Sequence, residues 1–204
     1  MTGERFTEDQ ADALGEIVNV AMGQAGAALS RLLDAFVKLH SPRVHVLAAE
    51  DVPNLVAATV DEPEEASAVT QAFFETVRGE SIVLFGAEGS RELAVRLQRQ
   101  LGDDEQDEAE MLLDTSNIVT GAILSSLGEQ LESHFDFAPP SLLGMHRPVA
   151  DLLSAGTRDW NEALVIDIHF TLEDSAFNCL VVLLMPEASI AAVRGIVDTI
   201  LEDF

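Results

Sequence analysis

Asp12-Ala-Leu-Gly-Glu16-Ile-Val-Asn19-Val-Ala-Met-Gly23 and Glu110-Met-Leu-Leu-Asp114-Thr-Ser-Asn117-Ile-Val-Thr-Gly121 are two copies of one pattern. Acid, acid, amide and glycine recur in the same register, 98 positions apart. The same offset carries Pro42 onto Pro140 and lays Ile82-Val83-Leu84-Phe85 over Leu180-Val181-Val182-Leu183. Chance rarely holds one register across acid, amide, glycine, proline and a β-rich run, so the chain is read as an internal duplication. The repeats run from about 1–102 and about 103–204, within a single domain 1–204, and the acidic stretch from Gly102 to Glu105 joins them.

Each half follows one order of elements. A long helix is predicted over about 8–37 in the first half and 106–134 in the second. Strands follow at 43–49, 68–77 and 80–86, and then at 142–147, 162–172 and 177–185. A shorter helix closes each half, at 88–101 and 187–202. Gly79 marks a hairpin turn between two β-rich runs, and Ser175-Ala176 plays the same part in the second half. Pro186 starts the last helix, where its missing N–H does no harm. Hairpins imply a mostly antiparallel sheet with helices packed on it, an α+β fold. The run 179–184 is apolar on both faces, so it belongs in the middle of a covered sheet.

At 100° per residue, Leu14, Ile17, Val18, Ala21, Ala25, Ala28, Leu29 and Leu32 gather on one side of the first helix. Asp12, Glu16, Asn19 and Gly23 gather on the other. Leu112, Val119, Ile123 and Leu127 form the inner stripe of the second helix. Its outer stripe is Glu110, Asp114, Asn117 and Gly121. Each acid-x-x-Asn pair therefore presents a carboxylate beside a carboxamide on a solvent face. Gly23 and Gly121 lie one turn beyond each Asn. A mid-helix glycine costs about 1 kcal/mol relative to Ala, and its missing side chain opens a close approach to the Asn. Met22 and Met111 are expected to flank such a docking surface.

An Asn does not titrate, so it is no general base. It positions a water by donating from its NH₂ and accepting on its carbonyl. Phosphoryl transfer needs little beyond in-line placement of the nucleophile and charge neutralisation. The neighbouring carboxylate suits a cation, either a metal or a partner's Lys. A phosphate-binding Gly loop, a zinc-ligand cluster and a Ser-His-Asp arrangement are all missing from the sequence. The five histidines, His40, His45, His134, His146 and His169, follow no ligand spacing and read as surface or strand residues. Trp160 is expected to pack.

The 204 residues carry 36 acids and 11 bases, a formal charge of −25, and Lys38 is the single lysine. Such a surface repels nucleic-acid backbones and anionic membranes. A basic partner or a high-salt setting accounts for it, and the scarcity of Lys favours the second, so a halophilic protein is the expectation. The single Cys179 permits no internal disulfide and fits a reducing cytoplasm. Set in an apolar run, it reads as a buried hydrophobe. Residues 1–12 are too polar for a signal peptide, and no apolar run approaches the ~20 residues of a membrane span.

Asp12-x-x-x-Glu16-x-x-Asn19-x-x-x-Gly23 and its second copy resemble the motif of the CheC/CheX/FliY phosphatases of chemotaxis. Two copies in a chain of this length are similar to the CheC branch, and the resemblance spans essentially the whole chain. It implies a pseudo-two-fold fold with two long exposed helices and two shorter ones. By that resemblance Asn19 and Asn117 position the water that attacks the aspartyl phosphate of CheY, a two-component response regulator. Glu16 and Asp114 engage the regulator's active-site Lys. The Mg²⁺ belongs to the regulator, so no cofactor of the chain's own is expected, and the receptor deamidase CheD is a possible second partner. The family pattern has Glu where the second copy has Asp114, and Asp reaches about 1.5 Å less far. The flagellar switch protein FliM resembles the same fold but lacks the active residues. A non-catalytic adaptor that binds phosphorylated CheY or CheD is the alternative to the enzyme.

Overall fold

The structure is a computed structural model that describes residues 6–59, 65–97, 105–154 and 160–202. The first half runs α1 (Glu8–Leu33), β1 (Val37–Leu39), β2 (Arg43–Ala48), a 3-10 turn (Ala49–Asp51), α2 (Val52–Thr59), β3 (Ala66–Glu75), β4 (Gly79–Gly86) and α3 (Ala87–Arg96). The second half runs α4 (Glu105–Gln130), β5 (Phe135–Phe137), β6 (Ser141–Arg147), α5 (Val149–Ser154), β7 (Glu162–Leu172), β8 (Asn178–Pro186) and α6 (Glu187–Glu202). The fold is α+β, and every strand pairing is antiparallel.

One sheet contains strands of both halves, in the order β1-β7-β8-β4-β3-β5, with β2 also on β7 and β6 also on β3. Exchanging each strand for its counterpart reverses this order and leaves it unchanged. At the centre Val83 pairs with Val181, its own counterpart 98 positions on. The pseudo-two-fold axis therefore passes between these two valines. The halves also interlock: β1 and β2 of the first lie along β7 of the second, while β5 and β6 lie along β3.

The alternation along the central strands sorts the core into two layers. Val83, Phe85, Val181 and Leu183 face α1, α4, α3 and α6. Ile82, Leu84, Leu180 and Val182 face α2 and α5, which pack with Val52, Val56, Val149 and Leu152. A strand apolar on both faces needs this cover. The helices α2 and α5 lie outside the two long and two short helices expected from the sequence. At 8 and 6 residues they are too short to show a periodic stripe.

Both long helices stop earlier than expected, at Leu33 and Gln130. Asp34 and Glu132 take left-handed conformations with φ of 47°, again 98 positions apart, and the chain turns into β1 and β5. Such a stop is usually signalled by Gly or Asn; here acids make it, and the apolar residues beyond read as more helix. Gly79 is likewise not in the turn but opens β4, where a Cβ would meet the Leu184 carbonyl oxygen at 2.2 Å. Close approach of β8, not turn geometry, requires glycine there. The expected third helix over 88–101 ends at Arg96, with 98–101 outside the described residues, as is most of the 102–105 junction.

Candidate functional site: two acid–amide faces on the long helices

The first turn of α1 is fixed twice. Thr7 and Gln10 form a reciprocal capping box, and Gln10 Nε2 donates to Asp198 Oδ1 of α6 at 2.5 Å. Leu14, Ile17, Val18, Ala21, Ala25 and Leu29 are then buried against the sheet and α4. That burial turns Asp12, Glu16 and Asn19 outward, and all three are exposed. In α4 Leu112, Val119, Ile123 and Leu127 are buried, and Glu110, Asp114 and Asn117 are exposed. The buried side of α4 also carries Thr115, Ser116, Thr120 and Ser126. Thr120 shares a buried hydrogen bond with Ser81 of β4 at 3.0 Å, which pins the helix to the sheet.

Both motifs thus lie on the same helical layer and are related by the axis between Val83 and Val181. The carboxylate of Glu16 makes no hydrogen bond or ion pair among the described residues. Glu110 accepts from Gln106 at 3.3 Å. Asn117 is held from below: Gln71 of β3 donates to its Oδ1 at 3.1 Å. No group of three or more His, Cys, Asp or Glu stands ready to hold a metal among the described residues.

The glycines of the motif are not needed by the fold. A Cβ at Gly23 would meet nothing within 4 Å, and one at Gly121 would meet only Phe137 Cζ, at 3.8 Å. Gly128 contrasts with them, since a Cβ there would meet the Ser133 carbonyl oxygen at 2.7 Å. Gly23 and Gly121 leave open space beside each Asn.

Sequence reasoning passed over the apolar neighbours of this space. Val20 is 43% exposed and its counterpart Ile118 40%; Leu39 is 41% exposed and its counterpart Phe137 42%. The offset of 98 was the signal that pairs them. Val20 and Ile118 directly follow the two Asn residues, and Phe137 stands near Gly121, whereas Leu39 lies over Gly26, beyond the first motif. An exposed apolar side chain beside a polar group is common in protein-docking surfaces. Met22 and Met111, expected at the rim, are buried in the core instead. They sit toward the inner stripe, where the apolar environment of α1 and α4 takes them in. Cys179 is fully buried, and burial pushes its thiol well above the usual range, so it is no nucleophile. Trp160 packs on the α2–α5 layer.

A scan against known protein families finds no match. The fold does match solved structures over nearly the whole chain. Thermotoga maritima FliY superposes with a TM-score of 0.70 at 16% identity, over 96% of this chain and 99% of that one. A chemotaxis protein CheX from Desulfovibrio desulfuricans gives 0.56 at 18%, over 83% and 99%. FliM, in a FliM–SpeE complex from H. pylori, gives 0.61 at 11%, over 96% and 97%. The chain has the CheC-like fold that these proteins share.

Proposed function

We propose that this chain hydrolyses the aspartyl phosphate of a CheY-type response regulator in chemotaxis signalling. One observation carries the reading: the acid-x-x-Asn pair occurs twice, in register, on the open face of a CheC-like fold, and each copy has a bare glycine and an exposed apolar side chain, Val20 or Ile118, beside it. In this account Val20 at the first site, and Ile118 with Phe137 at the second, seat the regulator. Glu16 or Asp114 meets a Lys of its active site. Asn19 or Asn117 holds one water in line with the phosphorus; the water attacks, the bond to the aspartyl oxygen breaks, and phosphate leaves. Charge on the phosphoryl group is balanced by the regulator's own Mg²⁺ and Lys, so the chain supplies position and not charge. CheD is a possible second partner.

The likeness to FliM, a protein solved in complex with SpeE, favours one other reading, a non-catalytic adaptor for phosphorylated CheY or CheD. Mixing a small amount of the chain with an excess of purified, phosphorylated CheY-like protein separates the two. Release of many phosphates per chain supports the enzyme. Binding without loss of acyl phosphate beyond the regulator's own decay supports the adaptor.

A further inference from the structure

Gln71 is 2% exposed and lies on β3 beneath α4. Its Nε2 donates to two oxygens, Ala138 O at 2.8 Å and Asn117 Oδ1 at 3.1 Å. The first acceptor is a backbone carbonyl, which cannot donate, so it fixes which end of the Gln71 amide faces it. Ala138 is itself tied down, since its N–H donates to Ala72 O at 2.9 Å. With both Nε2 hydrogens committed, Asn117 has to turn its carbonyl inward and its NH₂ outward. The orientation of an exposed carboxamide is thereby set from the sheet.

The fold alone does not account for a glutamine here. Its Oε1 is buried without a partner among the described residues, a cost that Leu or Met at 71 would not carry. The first site is built differently. The counterpart of Gln71 is His169, whose Nε2 shares a hydrogen bond with Asn178 Oδ1 at 2.7 Å and whose ring stacks on His40 at 4.7 Å. Asn19 makes no side-chain hydrogen bond among the described residues.

We infer that Gln71 is a positioning residue for the second site: it locks the Asn117 carboxamide in one rotamer, with one Oδ1 lone pair and both N–H groups left for the attacking water, while Asn19 has no such lock. The inference rests on the phosphatase reading.

The test uses the full chain with Asn19→Ala, so that only the second site works, and adds Gln71→Met or Gln71→Leu. Freeing one side-chain rotamer predicts a kcat lower by roughly two- to tenfold, with KM for the phosphorylated regulator unchanged. In the Asn117→Ala background the same changes at 71 leave kcat unchanged. Side-chain ¹⁵N relaxation gives an arm independent of turnover: the Asn117 carboxamide is more ordered than that of Asn19, and loses that order with Gln71→Met. Unchanged kcat in the Asn19→Ala background overturns the inference, as does equal loss in both backgrounds, which marks a merely structural role. No activity from Asn19→Ala alone overturns it too, because the second site then does no work. If the wild-type chain itself fails to turn over, the phosphatase reading falls and this inference with it; the relaxation arm tells that failure from failure of the lock.

Discussion

Glu16 and Asp114 differ by one methylene, and this small difference sets the two sites apart. Reach belongs to docking, whereas orientation of the amide belongs to the chemical step. The shorter Asp114 raises KM at the second site, because its carboxylate falls about 1.5 Å short along the chain. Asn19→Ala therefore lowers kcat/KM more than Asn117→Ala does, and the gap narrows at saturating regulator. Asp114→Glu raises kcat/KM of the Asn19→Ala chain. Equal kcat/KM for the two single Asn variants would refute this asymmetry. Gly23 gives a second contrast at this scale. A Cβ there has nothing to strike, so Gly23→Ala should stabilise the fold by about 1 kcal/mol, raising Tm by about 2–4 °C. The same methyl stands in the approach to Asn19, so KM should rise. Higher stability with unchanged KM would remove Gly23 from the docking face. The acids, amides and glycines were legible in the sequence because they lie on one helix at fixed spacing. Gln71 was not, because its contact with Asn117 spans 46 positions and depends on a strand register that no local pattern announces.

Elements were legible where they were long. The opposed stripes of α1 and α4 are 26 residues each and leave little ambiguity, and the β3–β4 and β7–β8 hairpins were found within a few residues of their limits. The ends of the long helices were not, because Asp34 and Glu132 adopt a left-handed turn with no glycine to announce it. The sheet's second cover, α2 and α5, was implied by the doubly apolar strands but had no periodic signature of its own. The start of α6 offers a test at this scale. The backbone N–H groups of Glu187 itself and of Glu162 and Asn161 hold the Glu187 carboxyl below its ordinary value of 4.5. A carboxyl lowered in the folded state stabilises it above that value, and the contribution is lost as pH falls through the folded pKa. Glu187→Gln should therefore melt below wild type at neutral pH, and the gap should close as pH drops under 4.5. A gap that does not change with pH would mean that the carboxylate contributes no charge-dependent stability.

Over the whole molecule, a formal charge of −25 on 204 residues must be carried by the folded state. Repulsion among exposed carboxylates acts over a Debye length of about 10 Å at 0.1 M salt, and of about 3 Å at 1 M. If the acidity belongs to a high-salt setting, Tm should rise with KCl up to molar concentration; a flat or falling Tm would point to a basic partner instead. The two-fold axis between Val83 and Val181 places one acid–amide face on each long helix, so the account predicts two working sites on one chain. The measurement that tests this most directly is the loss of acyl phosphate from a CheY-like regulator, compared between the wild-type chain and Asn19→Ala/Asn117→Ala. Both changes lie on exposed helix faces, and Ala is the better helix former, so the double variant keeps its fold. The account predicts that it still binds the regulator but turns over about a hundredfold or more slowly, and a wild-type chain no faster than the double variant would contradict it.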